Sequence, residues 1–584
     1  MRKLKKEMKT NMKHLLKTAV LLLTASLAFA QRPKIAPDLA GISPSSKVNV
    51  IVQFNHVPTA ADHQKVINRG GKLMRRFRLV KAGMYSVPAS ALAQLANDPQ
   101  ITYISPDRKV TGKLDLTAAA VNAAAAWQSG YDGSGIGVAI IDSGITPVDD
   151  LTSGGNSRIV YSQDFVGTGT DDFYGHGTHV AGIVAGNATD SSCPTCTRTL
   201  MGMAPNANLV NLRVLDENGE ATDGTLIAAI DQAIALQSTY NIRVINLSVG
   251  RGVYESYTLD PLCQAVEAAW QAGIVVVVAA GNDGRDDSVG NNGYGTINAP
   301  GNDPYVITVG AMKTEGTPTR TDDLIASYSS KGPTTGDNVV KPDIVAPGNQ
   351  LVSLLASPAD TLPSEYPTDL IANTYYNSAG DGSASTSYYI LNGTSMATGV
   401  VSGAVALLLQ ANPGLTPDQV KATLMLTAYK TFPQSSQAIE PTTGTVYTSV
   451  YDMFTVGAGY LDIQAALANT SLATANALSP TATYDSTTGN ANLVFASGSV
   501  WGTGSVWGTG SVWGTSVVSS TGTIWGTSSI WGTGSVWGTG SIWGTGSIWG
   551  TGSLWGTGSI WGTGSVWGQS AADQATSIMA YGEK

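Results

Sequence analysis

Gly137-Val138-Ala139-Ile140-Ile141-Asp142-Ser143-Gly144 is the stretch on which the fold turns. A run of small and apolar residues closes on an acid and a Ser-Gly turn, with no polar alternation. That pattern reads as a strand covered on both faces. Working outward, Asn208–Val214, Val244–Leu247, Ile274–Ala279 and Val306–Val309 have the same character. Helical patterns lie between them, among them Thr225–Gln237 and Leu262–Gln271. Strands alternating with helices predict an α/β domain whose mostly parallel central sheet is flanked by helices.

The flanks of this domain differ from it in charge. Residues 1–30 carry seven Lys/Arg, from Arg2 to Lys17, then an apolar run Ala19–Leu27 and Ala28-Phe29-Ala30. This is the layout of a secretory signal peptide cut after Ala30. The run is shorter than the ~20 residues a membrane span needs, so export is expected rather than anchoring. Residues 31–110 hold twelve Lys/Arg against four Asp. Residues 111–584 hold fourteen Lys/Arg against thirty-seven Asp/Glu. The acidic body lacks the clustered cations that phosphate contacts require, which excludes nucleic acid as its partner. Opposite charge favours association of the basic segment with the body. The basic segment reads as a small α+β unit, with strands at 48–55 and 101–105 and a helix at 89–97.

Past residue 470 the composition turns to Ser, Thr, Ala and Gly, and residues 471–495 are expected to be a linker. A hexapeptide repeat, Val-Trp-Gly-Thr-Gly-Ser, follows over 496–568, with a C-terminal tail at 569–584. Eleven of the thirteen Trp fall in the repeat, and an even period would set them on one face of an extended chain. Two readings stay open. The repeat is a stacked, surface-binding module, or a Gly-rich tail prone to self-association. Among the cysteines, Cys193-Pro-Thr-Cys196 reads as a local disulfide in an exported chain, and Cys263 as a buried small side chain.

Chemistry is found through histidine, the commonest general base near neutral pH. The acidic body has only two, both in Gly175-His176-Gly-Thr-His179-Val-Ala-Gly182. This is not the H-E-x-x-H of a zinc helix, because the Glu is missing. A His base needs a nucleophile and an orienting carboxylate. Asp142 ends the central strand, where α/β folds place their sites. Ser395, in Asn392-Gly-Thr-Ser395-Met-Ala, precedes the apolar run Val400–Leu409 and so lies near a helix N-terminus. Unpaired N–H groups there favour a developing oxyanion.

The order Asp, His, Ser and the text around each residue resemble the three active-site blocks of the subtilisin-like serine proteases, over about residues 112–467. Ala279-Ala-Gly-Asn282 resembles the oxyanion block, and Ser329–Pro333 and Lys341–Gly348 resemble further family blocks. The resemblance implies a serine endopeptidase with Ser395 as nucleophile, His176 as base, Asp142 as orienter, and Asn282 as oxyanion donor. It implies that extended polypeptide substrates pair with Ser248, Val249 and Gly250 and, on the other side, Glu220-Ala221-Thr222. Ala280 and Gly281 would edge the pocket for the side chain before the cut. The basic segment resembles the family's inhibitor-like propeptide, so a self-processed zymogen is expected, with Tyr103–Pro106 in the groove before cleavage. No cofactor is required for catalysis. The resemblance also allows structural calcium, which the family often binds, with no ligands assigned among these residues. One block departs from the family: Ala397-Thr398-Gly399-Val400 stands where Pro and His are common at the last two positions. A working, slower site is expected. A surface-binding protein with the protease fold as carrier, and a peptide ligase on the same fold, are the competing readings.

Overall fold

The computed structural model describes residues 34–36, 39, 42–44, 46–77, 81–106, 114–288, 290–440, 444–485, 490–495, 578–579 and 582–583. The signal peptide and the repeat expected from sequence lie outside the described residues. The chain divides into two compact units, Met1–Val110 and Thr111–Lys584.

The N-terminal unit runs β1 (Lys47–Phe54), α1 (Ala60–Ile67), β2 (Lys72–Arg76), β3 (Ala82–Pro88), α2 (Leu92–Ala96) and β4 (Ile101–Pro106). Its antiparallel sheet has the order β2-β3-β1-β4. Val50, Val52, Phe54, Tyr85, Leu95 and Ile104 form its core. The two strands and the helix expected from sequence are there, joined by β2, β3 and α1. Strand β2 is an edge with mostly exposed side chains and so has no apolar alternation. Helix α1 turns Asp62 and His63 inward beside Val66, so its buried face is not apolar.

The larger unit is built on β5 (Gly137–Asp142), β6 (Ile159–Asp164), α3 (His176–Ala185), β7 (Asn208–Arg213), α4 (Asp223–Tyr240), β8 (Ile242–Leu247), α5 (Pro261–Gln271), β9 (Val275–Ala279), β10 (Ile307–Lys313), β11 (Leu324–Ile325), β12 (Ile344–Pro347), β13 (Leu351–Leu354), β14 (Ala384–Leu391), α6 (Thr394–Ala411) and α7 (Pro417–Thr427). The main sheet has the order β11-β10-β9-β8-β5-β7-β6, with β12 also on β10. Its pairs are parallel except β10 with β11. Every residue of β5 and β9 is buried. Helices α4 and α5 pack together, as do α3 and α6, and the two pairs cover the sheet. This is why the strands are apolar throughout rather than alternating.

Strand β5 lies between β7 and β8, and the chain crosses over it to pass from one to the other. The carboxyl end of β5 is therefore a topological switch point, where open α/β sheets form a crevice. Asp142, Ser248 and Asn282 all sit at or just past the carboxyl ends of β5, β8 and β9.

The segment expected as a linker is instead partly built into this unit. Residues Thr481–Asp485 (β15) and Asn490–Val494 (β16) form an antiparallel hairpin. The amide of Ala482 donates to the Asn338 carbonyl at 2.8 Å. Ser479 joins a buried charge cluster, in which Asp343 meets Lys341 at 2.7 Å and Lys421 at 3.2 Å. Lys421 Nζ also donates to Ser479 Oγ at 2.8 Å. All three charges are fully buried, which is tolerable only because each is paired and hydrogen-bonded.

Candidate active site

Asp142, at the end of β5, meets His176, the first residue of α3. His176 Nδ1 and Asp142 Oδ1 are 2.7 Å apart, and both side chains are almost wholly buried. Asp142 Oδ1 also accepts the Ser143 amide at 2.8 Å. Ser143 Oγ donates to Asp172 Oδ1 at 2.8 Å and accepts the Gly177 amide at 2.8 Å. Asp172 in turn accepts the amides of Gly175 and Thr178, each at 2.7 Å. Its carboxylate thus holds the start of α3 and fixes where His176 stands. Sequence reasoning gave Ser143 and Asp172 no role. A carboxylate just ahead of a helix was the available signal.

Burial pushes the His176 imidazole toward the neutral form. The charge of Asp142, its hydrogen bond and the charge of Asp172 act the other way and prevail, leaving the pKa above its ordinary 6.5. His179, one turn on, is different. Burial and the neighbouring His176 drive its pKa down to about 3. It stays neutral, 3.2 Å from the Leu351 carbonyl and edge-on to Tyr389, as part of the core.

Ser395 is the second residue of α6, which begins after Gly393 at φ 143°. Its Oγ donates to the Ser248 carbonyl at 3.2 Å, and Ser248 Oγ donates to the Ser395 carbonyl at 3.0 Å. His176 Nε2 is buried without a hydrogen-bond partner. The two helices that carry these side chains lie close. A Cβ at Gly399 would stand 3.1 Å from Ile183 of α3. The residue that departs from the family pattern is therefore an interior helical glycine at a close crossing.

Asn282 lies against the start of α6. Its Oδ1 accepts the Thr394 amide at 2.9 Å and the Thr394 hydroxyl at 3.1 Å. With the carbonyl end held by α6, the amide end, which carries two donors, stays available. A Cβ at Gly393 would come within 3.2 Å of Asn282 Nδ2, so glycine keeps that donor uncovered.

A family model described as Subtilase family matches residues 133–459, more than half of the chain. The chain belongs to the subtilase family. Serine protease AprX of Bacillus subtilis is 37% identical over 393 residues, covering 65% of this chain and 82% of that protein. Subtilisin E of the same species is 31% identical over 416 residues, covering 70% and 91%. An alkaline protease of Alkalihalobacillus alcalophilus is 28% identical over 422 residues, covering 70% and 93%. The protein is a subtilisin-like serine protease, a hydrolase acting on polypeptides.

In this subtilase the segments expected to take substrate differ in what they offer. Ser248 is buried and committed to Ser395. Among the described residues, no backbone group pairs with Val249 or Gly250, which form a free edge. On the other side, the Glu220 amide and carbonyl are used by Asp216, and Thr222 caps α4. Among the described residues, no partner pairs with the Ala221 backbone there. Ala280 and Gly281 have their backbone groups paired with Val309, Asn298, Thr394 and Ser330.

The cysteines of the subtilase sit apart from this chemistry. Cys193 and Cys196 form a disulfide. Cys263 is a free, buried thiol, its pKa raised by burial, and it donates to Asn302 at 3.3 Å. Among the described residues, no group of three or more His, Cys, Asp or Glu is placed to hold a metal ion.

Proposed function

We propose that this subtilase is an exported serine endopeptidase, made as a precursor, with Ser395, His176 and Asp142 as its triad and Asn282 as an oxyanion donor. The observation that carries the reading is the buried Asp142–His176 pair, whose outer nitrogen is unpartnered, with His176 on a helix packed against the one whose second residue is Ser395. The mechanism requires the Ser395 hydroxyl to turn from the Ser248 carbonyl to the unpartnered His176 Nε2. Looser hydrogen bonds are common in a substrate-free site. Ser395 Oγ then attacks the scissile carbonyl as its proton passes to Nε2. The imidazolium, stabilised by Asp142, returns that proton to the leaving amine, and water resolves the acyl-enzyme.

The tetrahedral oxyanion is met by the Ser395 amide and Asn282 Nδ2. Asn282→Ala is expected to lower kcat by about 10²–10³-fold, the cost measured for the like donor in subtilisin, a relative. KM should change little, because the bond forms only in the transition state. Steady-state kinetics on a small amide substrate checks this, and an unchanged kcat removes Asn282 from the role. Substrate would lie extended along Val249 and Gly250, recognised through its main chain and hence with loose side-chain selectivity.

The leader at residues 1–30 supports export. The basic N-terminal unit, opposite in charge to the body, supports an inhibitory role before processing. Residues 31–110 made separately are expected to inhibit the processed enzyme, and less so as salt rises. Absence of inhibition at low salt rules this role out.

A further inference from the structure

Ile578, Met579, Gly582 and Glu583 are held against the protease body. Ile578 is 4% exposed within the main hydrophobic core, and Glu583 is 3% exposed. Glu583 Oε1 accepts from Arg285 Nη2 at 3.1 Å, from the Ser327 amide at 2.7 Å and from the Ser327 hydroxyl. Its Oε2 lies 3.5 Å from Lys313 Nζ. Arg285 also faces Glu440 at 3.8 Å, and Lys313 faces Glu315 at 3.1 Å. The Glu583 main chain is held as well. Its amide donates to Asn349 Oδ1 and its carbonyl accepts from Asn349 Nδ2, each at 2.8 Å. Arg285, Lys313, Ser327 and Asn349 are all buried, so the socket is built of groups that water does not satisfy.

The socket abuts the turn that leads to the nucleophile. Asn392, three residues before Ser395, donates its amide to the Met579 carbonyl at 2.8 Å and its Nδ2 to the same oxygen at 3.0 Å. Gly582 has φ 52°, and a Cβ on it would come within 2.1 Å of Asn392 Oδ1. Only glycine fits, in conformation and in space. The hairpin β15–β16 holds the chain up to residue 494. The segment 496–577, with its Trp repeat, is thus flanked on both sides by residues fixed to the protease body.

We propose that Ile578, Met579, Gly582 and Glu583 form a latch, which together with the β15–β16 hairpin tethers the repeat to the protease at both ends, and which braces the turn that leads into Ser395. The bracing half rests on the serine-protease reading; the tether does not. The tether is tested in the full-length Ser395→Ala chain, folded intact. A site for an added sequence-specific endopeptidase is placed after Gly568 and cut once the protein has folded. Under native gel filtration the C-terminal fragment is expected to stay with the body, and to separate only in denaturant. With Glu583→Arg, which sets a third cation against Arg285 and Lys313, it is expected to be released. Release from the unsubstituted chain, or equal retention in both, overturns the latch.

Bracing is tested by Gly582→Ala in the active enzyme. It should lower kcat on a small ester by on the order of tenfold or more, with KM nearly unchanged, since small displacements of a catalytic group cost rate steeply. An unchanged kcat overturns the bracing. If the parent enzyme has no activity, the serine-protease reading has failed, and the retention assay still decides the tether.

Discussion

Ser395→Ala should abolish hydrolysis of a generic protein substrate and leave the secreted product as an uncut precursor beginning near Gln31. Among the described residues, neither Ser248 nor Ser143 can replace the lost hydroxyl as nucleophile. Ser248 Oγ is already spent on the Ser395 carbonyl, and Ser143 Oγ on Asp172. The expected fall in kcat is on the order of 10⁶-fold, the loss measured for the corresponding serine of subtilisin, a relative. The variant should keep the parent's melting behaviour, because the hydroxyl's one hydrogen bond in the resting site, at 3.2 Å to Ser248, is long. Intact mass of the secreted protein reads the processing directly. A processed product from this variant, with no other protease present, would mean that the chain is cut by something other than its own Ser395.

Asp142→Asn separates two roles of the carboxylate. The asparagine keeps the shape but presents no anion to His176. The expected loss in kcat is on the order of 10⁴-fold, as seen when triad aspartates are replaced in serine proteases. A second readout is the acid limb of the pH profile. Catalysis needs the neutral imidazole, so activity in the parent falls as pH drops through the raised pKa of His176, above 6.5. Without the Asp142 charge and hydrogen bond, burial becomes the leading influence and favours the neutral ring. The acid limb of kcat/KM should therefore move to lower pH even as the rate falls. A limb that moves upward or stays put would show that Asp142 does not hold the proton on His176.

The central strand was legible because β5 is buried on both faces, and such a strand has one signature, an unbroken apolar run. The site was legible for a different reason. The body has two histidines in a single motif, so base, orienter and nucleophile had few places to be. Asp172 was not legible, because its work is done through the amides of Gly175 and Thr178 and the hydroxyl of Ser143. Those bonds depend on how the chain turns ahead of α3, not on residue type. Ser248 was read as a substrate contact. Its position beside Ser395, 147 residues away, exists only once β8 and α6 are packed.

The region after residue 470 shows the limit of composition as a guide. A stretch rich in Ser, Thr, Ala and Gly carries no apolar period, yet Ser479 is fixed by Lys421 and Asp343, and a hairpin follows. Glu583 is more extreme. One acid near a chain end reads as solvated, and only the pocket formed by Arg285, Ser327 and Asn349 gives it a place.

The most direct measurement is to treat the processed enzyme with an organofluorophosphonate, which phosphonylates an activated serine, and to map the adduct by peptide mass. A single adduct on Ser395, formed in step with loss of activity and absent from the His176→Ala variant, is the result expected. An adduct on another residue, or full proteolytic activity with Ser395 still unmodified, would contradict the account.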